Sequence, residues 1–127
     1  MILVYGIREQ LMPRARVLSD AIHACMMDVL GLPEGKRAQR FVPLDEAGFF
    51  APSDRSQDYV VIEIHMMEGR RVETKKALIH ELFRRIQADV GIAPIDVEIT
   101  LMDQPAHCWG FRGMTGDEAK LNYPIDV

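Results

Sequence analysis

Residues 1–7, MILVYGI, are almost continuously apolar, the pattern of a strand covered on both faces. Pro13 is expected to open a helix, because at the first helical position its missing N–H removes no hydrogen bond. Leu18, Ile22, Cys25 and Val29 then recur at helical spacing on one face. Gly31 and Pro33 end that helix, and a short strand follows around Gln39–Leu44. Residues 45–58, DEAGFFAPSDRSQD, are turn formers and predict a loop. The pattern resumes at Tyr59. In YVVIEIHMM, Val60, Ile62, Ile64 and Met66 share one face and Val61, Glu63 and His65 the other, as in a half-buried strand. A helix over about Val72–Val90 carries Leu78, Leu82, Ile86 and Val90 on one side, and Gly91 ends it. In DVEITLM, Val97, Ile99 and Leu101 alternate with Glu98 and Thr100 as a last strand.

The second unit copies the first at an offset of about 60 residues: Leu18 falls on Leu78, Gly31 on Gly91, Leu32 on Ile92, and Ile2 and Val4 on Ile62 and Ile64. This is an internal β-α-β repeat, about 1–45 and 59–103, with a tail from 104 to 127. Each unit buries only one side of its strands. The two should therefore pair into a single α/β domain, a four-stranded sheet with both helices on one face. A ferredoxin-like dimeric binding module shows the same order of elements, and periodicity alone does not separate the two. The other face of the sheet mixes Glu63, His65, Glu98 and Thr100 with Val61 and Met102, which suits a surface closed by further copies of the chain.

Composition narrows the function classes. Of the 127 residues, 48% are hydrophobic and 27% charged, enough apolar material for a core without a metal or disulfide staple. The net charge of −4 comes with no basic stripe, which argues against a nucleic-acid partner. No apolar run approaches the ~20 residues that span a bilayer. Arg8 and Glu9 interrupt the apolar start too soon for a signal peptide. Two cysteines, Cys25 and Cys108, are too few for a disulfide framework, so a reduced, cytoplasmic setting is expected. His23, His65, His80 and His107 form no metal-binding spacing, and neither a metal nor any other cofactor is expected.

Four segments in order, GLPEGKR (31–37), EGRRVETKKAL (68–78), GIAPIDVEITL (91–101) and CWGF (108–111), resemble the tautomerase superfamily, and within it the malonate semialdehyde decarboxylase-like and 4-oxalocrotonate tautomerase-like branches. The resemblance spans nearly the whole chain. It implies the fold of macrophage migration inhibitory factor, a homotrimer with sites near subunit boundaries, and tautomerisation, decarboxylation or hydration of small 2-oxo or 3-oxo acids. Members of that family begin with a proline whose secondary amine is the catalytic base or acid. Aligning Glu9 with the family's first-strand glutamate puts Met1 in that place, and a shift by one puts Ile2 there. Because Ile2 is large, the initiator methionine should be retained. Weak or altered activity is therefore the expectation, with a catalytically silent acid-binding or structural subunit as the alternative. Lys36 stands where the decarboxylase-like branch carries an aspartate. Of the two substrate-binding arginines, Arg71 matches one, and Gly69 occupies the other place with Arg70 between them.

The residues support the same candidates on chemical grounds. Arg70 and Arg71 precede a helix whose first N–H groups lack internal partners, a good cradle for a carboxylate. The competing explanation pairs them with Glu68, Glu73 or solvent. The α-amine of Met1, desolvated by an apolar strand and repelled by arginines, should act as a base or a Schiff-base nucleophile, or else be an inert strand end. Trp109, in PAHCWGF, walls a small-acid pocket or packs an interface. Lys36 is either a substrate-binding cation or a solvated loop lysine. His107 and Cys108, as neighbours on an extended segment, point apart and make a poor catalytic pair.

Overall fold

The computed structural model describes residues 1–127. Strand β1 (Ile2–Ile7) is followed by a helical turn, α1 (Arg8–Leu11), a tight 3-10 turn over Met12–Arg14, and helix α2 (Ala15–Leu30). The helical path thus starts five residues before the proline expected to open it. Leu11 explains the early turn: it is buried and its side chain lies against Gly6, so the chain folds back onto the end of β1. Pro13 sits inside the 3-10 turn. Strand β2 (Gln39–Leu44), β3 (Val60–Met67), helix α3 (Val72–Val90) and β4 (Val97–Gln104) follow, where the alternation predicted them.

The sheet runs β2-β1-β3-β4. β1 is parallel to β2 and β3 parallel to β4, so each β-α-β unit pairs its own strands, and the units meet through the antiparallel pair β1·β3. This order distinguishes the fold from the ferredoxin-like alternative, whose split β-α-β units interleave their strands. The register makes the repeat geometric. Leu3 pairs with Glu63, its own counterpart in the second unit, while Ile2 pairs with Ile64 and Val4 with Ile62. A pseudo-twofold axis therefore passes between Leu3 and Glu63. Both helices end the same way, on Gly31 and Gly91, at φ 71° and 81°, a left-handed conformation that a side chain would disfavour.

The helices pack on each other and on one sheet face. The core joins Leu18 and Ile22 of α2, Leu78, Leu82 and Ile86 of α3, and Val4, Ile62 and Ile64 of the central strands, all with no exposed surface. Cys25 belongs to this core, burial pushes its thiol up to about 11, and both cysteines are free thiols. The opposite face keeps Leu3, Tyr5, Val61, Glu63 and His65 half-buried and uncovered by any helix. The loop after β2 is tied to the start of β4: buried Asp96 accepts bonds from the Ser56 N–H (2.7 Å) and hydroxyl (2.6 Å). In the tail a small hairpin, β5 (Gly110–Phe111) and β6 (Met114–Thr115), turns through Arg112 and Gly113, both at positive φ. No helix is long and apolar enough to cross a membrane.

Candidate functional site

A cavity of about 380 Å3 opens at the end of the sheet where β1 begins and β3 ends. Parallel pairing within each unit, joined antiparallel, brings the start of β1 beside the end of β3, so the repeat itself positions the site. The floor is apolar, with Ile2, Met26, Leu30 and Met66 among its residues. The walls are cationic: Lys36, Arg37, Arg40 and Arg70 line the cavity, and no aspartate or glutamate does.

Met1 continues the β1·β3 ladder at the cavity edge. Its amine donates to the His65 carbonyl at 3.1 Å, and its own carbonyl accepts the His65 N–H at 2.8 Å. The nitrogen is therefore fixed by backbone, not left to a flexible side chain. Burial depresses the amine below its ordinary 8.0, and the charges of Lys36 and Arg40 push it the same way.

Arg70 and Arg71 part company. Arg70 is buried, 7% exposed, and lines the cavity. Its one hydrogen bond is a long one from Nη1 to the Met67 carbonyl, 3.3 Å, and its Nε is buried with no partner. Burial pulls its basicity down, while Tyr123 and Asp103 act in the opposite sense. Asp103 is itself ion-paired to Lys75. Arg71 is exposed, caps α3 through its backbone and lies outside the cavity lining; its N–H donates to the Val127 carbonyl at 2.9 Å. Gly69 precedes both, at φ 140°, and re-aims the chain as it leaves β3, so that the first arginine turns inward.

Trp109 follows a 3-10 turn over Ala106–Cys108, is half-buried, and lines the cavity; its Nε1 is buried without a partner. Lys36 reaches the same cavity from the turn after α2, its ammonium 5.7 Å from the Phe111 ring centre and 5.5 Å from that of Tyr123, a cation–π arrangement that holds the charge in place. Four lining residues were not singled out from sequence. His23 is buried on α2, with Nε2 2.7 Å from the Glu34 carbonyl. Arg40, on β2, had a visible signal in the basic run KRAQR. Phe111 lies on β5 and closes the CWGF segment, whereas Tyr123 had no signal because it reaches the site through irregular chain.

The family described as tautomerase enzyme matches residues 36–112. A probable tautomerase of Bacillus subtilis, YusQ, is 27% identical over 99 residues, covering 74% of this chain and 78% of the relative. The 2-hydroxymuconate tautomerase of Comamonas testosteroni is 36% identical over 56 residues, 44% of this chain and 89% of that one. Among solved structures, FG41 malonate semialdehyde decarboxylase inhibited by 3-bromopropiolate superposes with TM-score 0.79 at 26% identity, covering 87% of this chain and 88% of its own. A fused 4-OT described as a symmetric trimer superposes equally well, 0.79 at 20% identity, over 92% and 96%, and shows the fold.

Proposed function

The chain belongs to the tautomerase family, and on that premise we propose that its cavity binds a small 2-oxo or 3-oxo carboxylic acid, with the carboxylate on Arg70. One observation carries this reading: a buried guanidinium with an unpartnered Nε lines a cavity that holds no carboxylate. A buried guanidinium with no ion pair of its own and an open N–H is costly, and a carboxylate ligand supplies the missing acceptor. The unpartnered Trp109 Nε1 offers a second donor, to the carboxylate or to the oxygen of the keto group.

In this reading the Met1 amine does the chemistry, at a low or altered rate because no proline stands at position 1 or 2. In its neutral form it accepts a proton from the carbon beside the carbonyl. The C–H pair forms the carbon–carbon double bond as the carbonyl π pair moves onto oxygen, giving an enolate that Lys36 and the Trp109 N–H stabilise, and delivery of the proton to that oxygen completes the tautomerisation, the enol returning to the keto acid by the reverse steps. As a primary amine it has a second route. It adds to the carbonyl carbon, loses water and forms a Schiff base, into which a 3-oxo acid releases the electrons of its C–CO2 bond as carbon dioxide leaves.

Borohydride reduction in the presence of pyruvate tests this. The reduced adduct is expected on the peptide that begins at Met1. Only the neutral amine adds, so the yield should rise with pH and level off at lower pH than for a free methionine amine, as its depressed basicity requires. An adduct confined to lysine peptides, or none, together with an amine that titrates at or above its ordinary 8.0, would leave Met1 an inert strand end and favour the catalytically silent acid-binding reading.

The uncovered sheet face fits the same family reading. Half-buried Leu3, Tyr5, Val61, Glu63 and His65 mix apolar and polar groups as a subunit interface does, and the trimeric fused 4-OT neighbours support closure by two further copies. Sedimentation equilibrium should give about 43 kDa, three times the 14.4 kDa chain; a 14.4 kDa species at micromolar concentration would contradict it. A cytoplasmic setting accords with both cysteines standing as thiols.

A further inference from the structure

Residues Tyr123–Val127 cross the molecule without regular structure, and four of them touch the cavity or the chain beside it. Tyr123 lines the cavity and lies over the Lys36 ammonium at 5.5 Å. Pro124 runs beside Gly31, the left-handed cap of α2, its ring carbons 3.6 Å from where a Cβ would stand. Ile125 sits on Gly69, with Cγ2 only 2.6 Å from the corresponding Cβ position, so any side chain there collides with it. Val127 then accepts the Arg71 N–H at the start of α3, at 2.9 Å. The segment thus runs from the end of one repeat's helix to the beginning of the other's, across the residues that carry Lys36 and Arg70.

We propose that Tyr123–Val127 is a strap that forms the outer wall of the cavity and sets the size of the acid it accepts, with Ile125 in the notch over Gly69 as its fastener. The proposal rests on the acid-binding reading for its substrate, but not for its geometry. The strap is lightly held. For residues 119–127 the Arg71–Val127 bond is the sole backbone–backbone hydrogen bond, and segments with few such bonds and few buried contacts open at little free-energy cost. What keeps it closed is side-chain seating. Ile125 fills the space that the absent side chain of Gly69 leaves, and the Tyr123 ring lies 5.5 Å from the Lys36 charge, with Phe111 at 5.7 Å. Gly69 therefore has two tasks, since its φ of 140° aims Arg70 inward and its bare Cα receives the strap. A small oxo acid fits beneath the closed wall. Displacing the wall leaves more room for a 2-oxo acid with a bulky aryl group.

Two full-length variants loosen the strap without touching Gly69, Arg70 or any cavity-lining residue. Ile125→Ala shortens the fastener, and Ile125→Ser also makes it polar. Trp109 is the chain's one tryptophan and lines the cavity beside the wall, so its fluorescence reports opening directly. In both variants acrylamide quenching of Trp109 should increase at least twofold. The ratio of dissociation constants for phenylpyruvate and pyruvate, measured calorimetrically, should fall severalfold. Unchanged quenching in both variants, with folding verified by circular dichroism, would overturn the strap. Increased quenching with an unchanged ratio would remove its role in substrate size. A wild-type protein that binds neither acid would refute the acid-binding reading while the quenching result still decides the strap.

Discussion

Replacing Arg70 with methionine should abolish most carboxylate binding while leaving the protein as stable as before or more so. Calorimetric titration with pyruvate or malonate should show a loss of about 1.5–3 kcal/mol, the usual worth of a charged hydrogen bond, or roughly 10–100-fold in affinity. The stability half of the prediction follows from burial. Arg70 is 7% exposed, makes no ion pair, and donates one long bond to the Met67 carbonyl. An apolar side chain of similar length removes an uncompensated charge from the interior, a change that is often neutral or stabilising. A residue present only for structure would show the reverse pattern, with a lower melting temperature and unaltered ligand binding. Arg71→Met is the control. Its side chain is exposed and lies outside the cavity lining, so binding and stability should each stay within about 0.5 kcal/mol of wild type. If Arg71→Met loses binding and Arg70→Met does not, the carboxylate belongs elsewhere.

The second large effect concerns the core that holds the site's two halves together. Leu18→Ala and Leu78→Ala should each cost about 2–5 kcal/mol of stability, the range for a fully buried leucine whose surroundings relax only in part. Both residues have no exposed surface, and both face the same central strands from equivalent helices. The repeat therefore predicts similar costs, not merely large ones. Urea denaturation at a fixed protein concentration measures this, the concentration being held because association contributes to apparent stability. A loss below about 1 kcal/mol at either position would mean that the helix does not pack as described.

The apolar and polar alternation of β3 and β4 was legible because a strand with one face on a core must alternate, and the offset of Leu18 to Leu78 and Gly31 to Gly91 exposed the repeat; β1, apolar almost throughout, read as covered on both faces, whereas Leu3 and Tyr5 lie on the side no helix covers. What periodicity lacked was the order of pairing, and the Leu3·Glu63 register supplied it. The helical start at Arg8 was missed because the signal at Pro13 was local, whereas the cause was the packing of Leu11 on Gly6. At the site, Arg70 and Arg71 look alike in sequence. Which one turns inward depends on φ at Gly69, and an isolated glycine does not announce its torsion angle. Met1, Lys36 and Trp109 were visible as chemistry and converge on the cavity lining. Tyr123 was invisible, since it arrives through coil that carries no period.

A crystal structure of the protein with a bound 2-oxo acid, pyruvate or oxaloacetate, tests the central reading most directly. The carboxylate is expected within hydrogen-bond distance of Arg70 Nε, its keto group toward Trp109 Nε1 or Lys36, and the carbonyl carbon facing the Met1 amine that His65 holds at 3.1 Å. A ligand bound on Arg71 outside the cavity, or a cavity that stays empty at saturating acid, would contradict it.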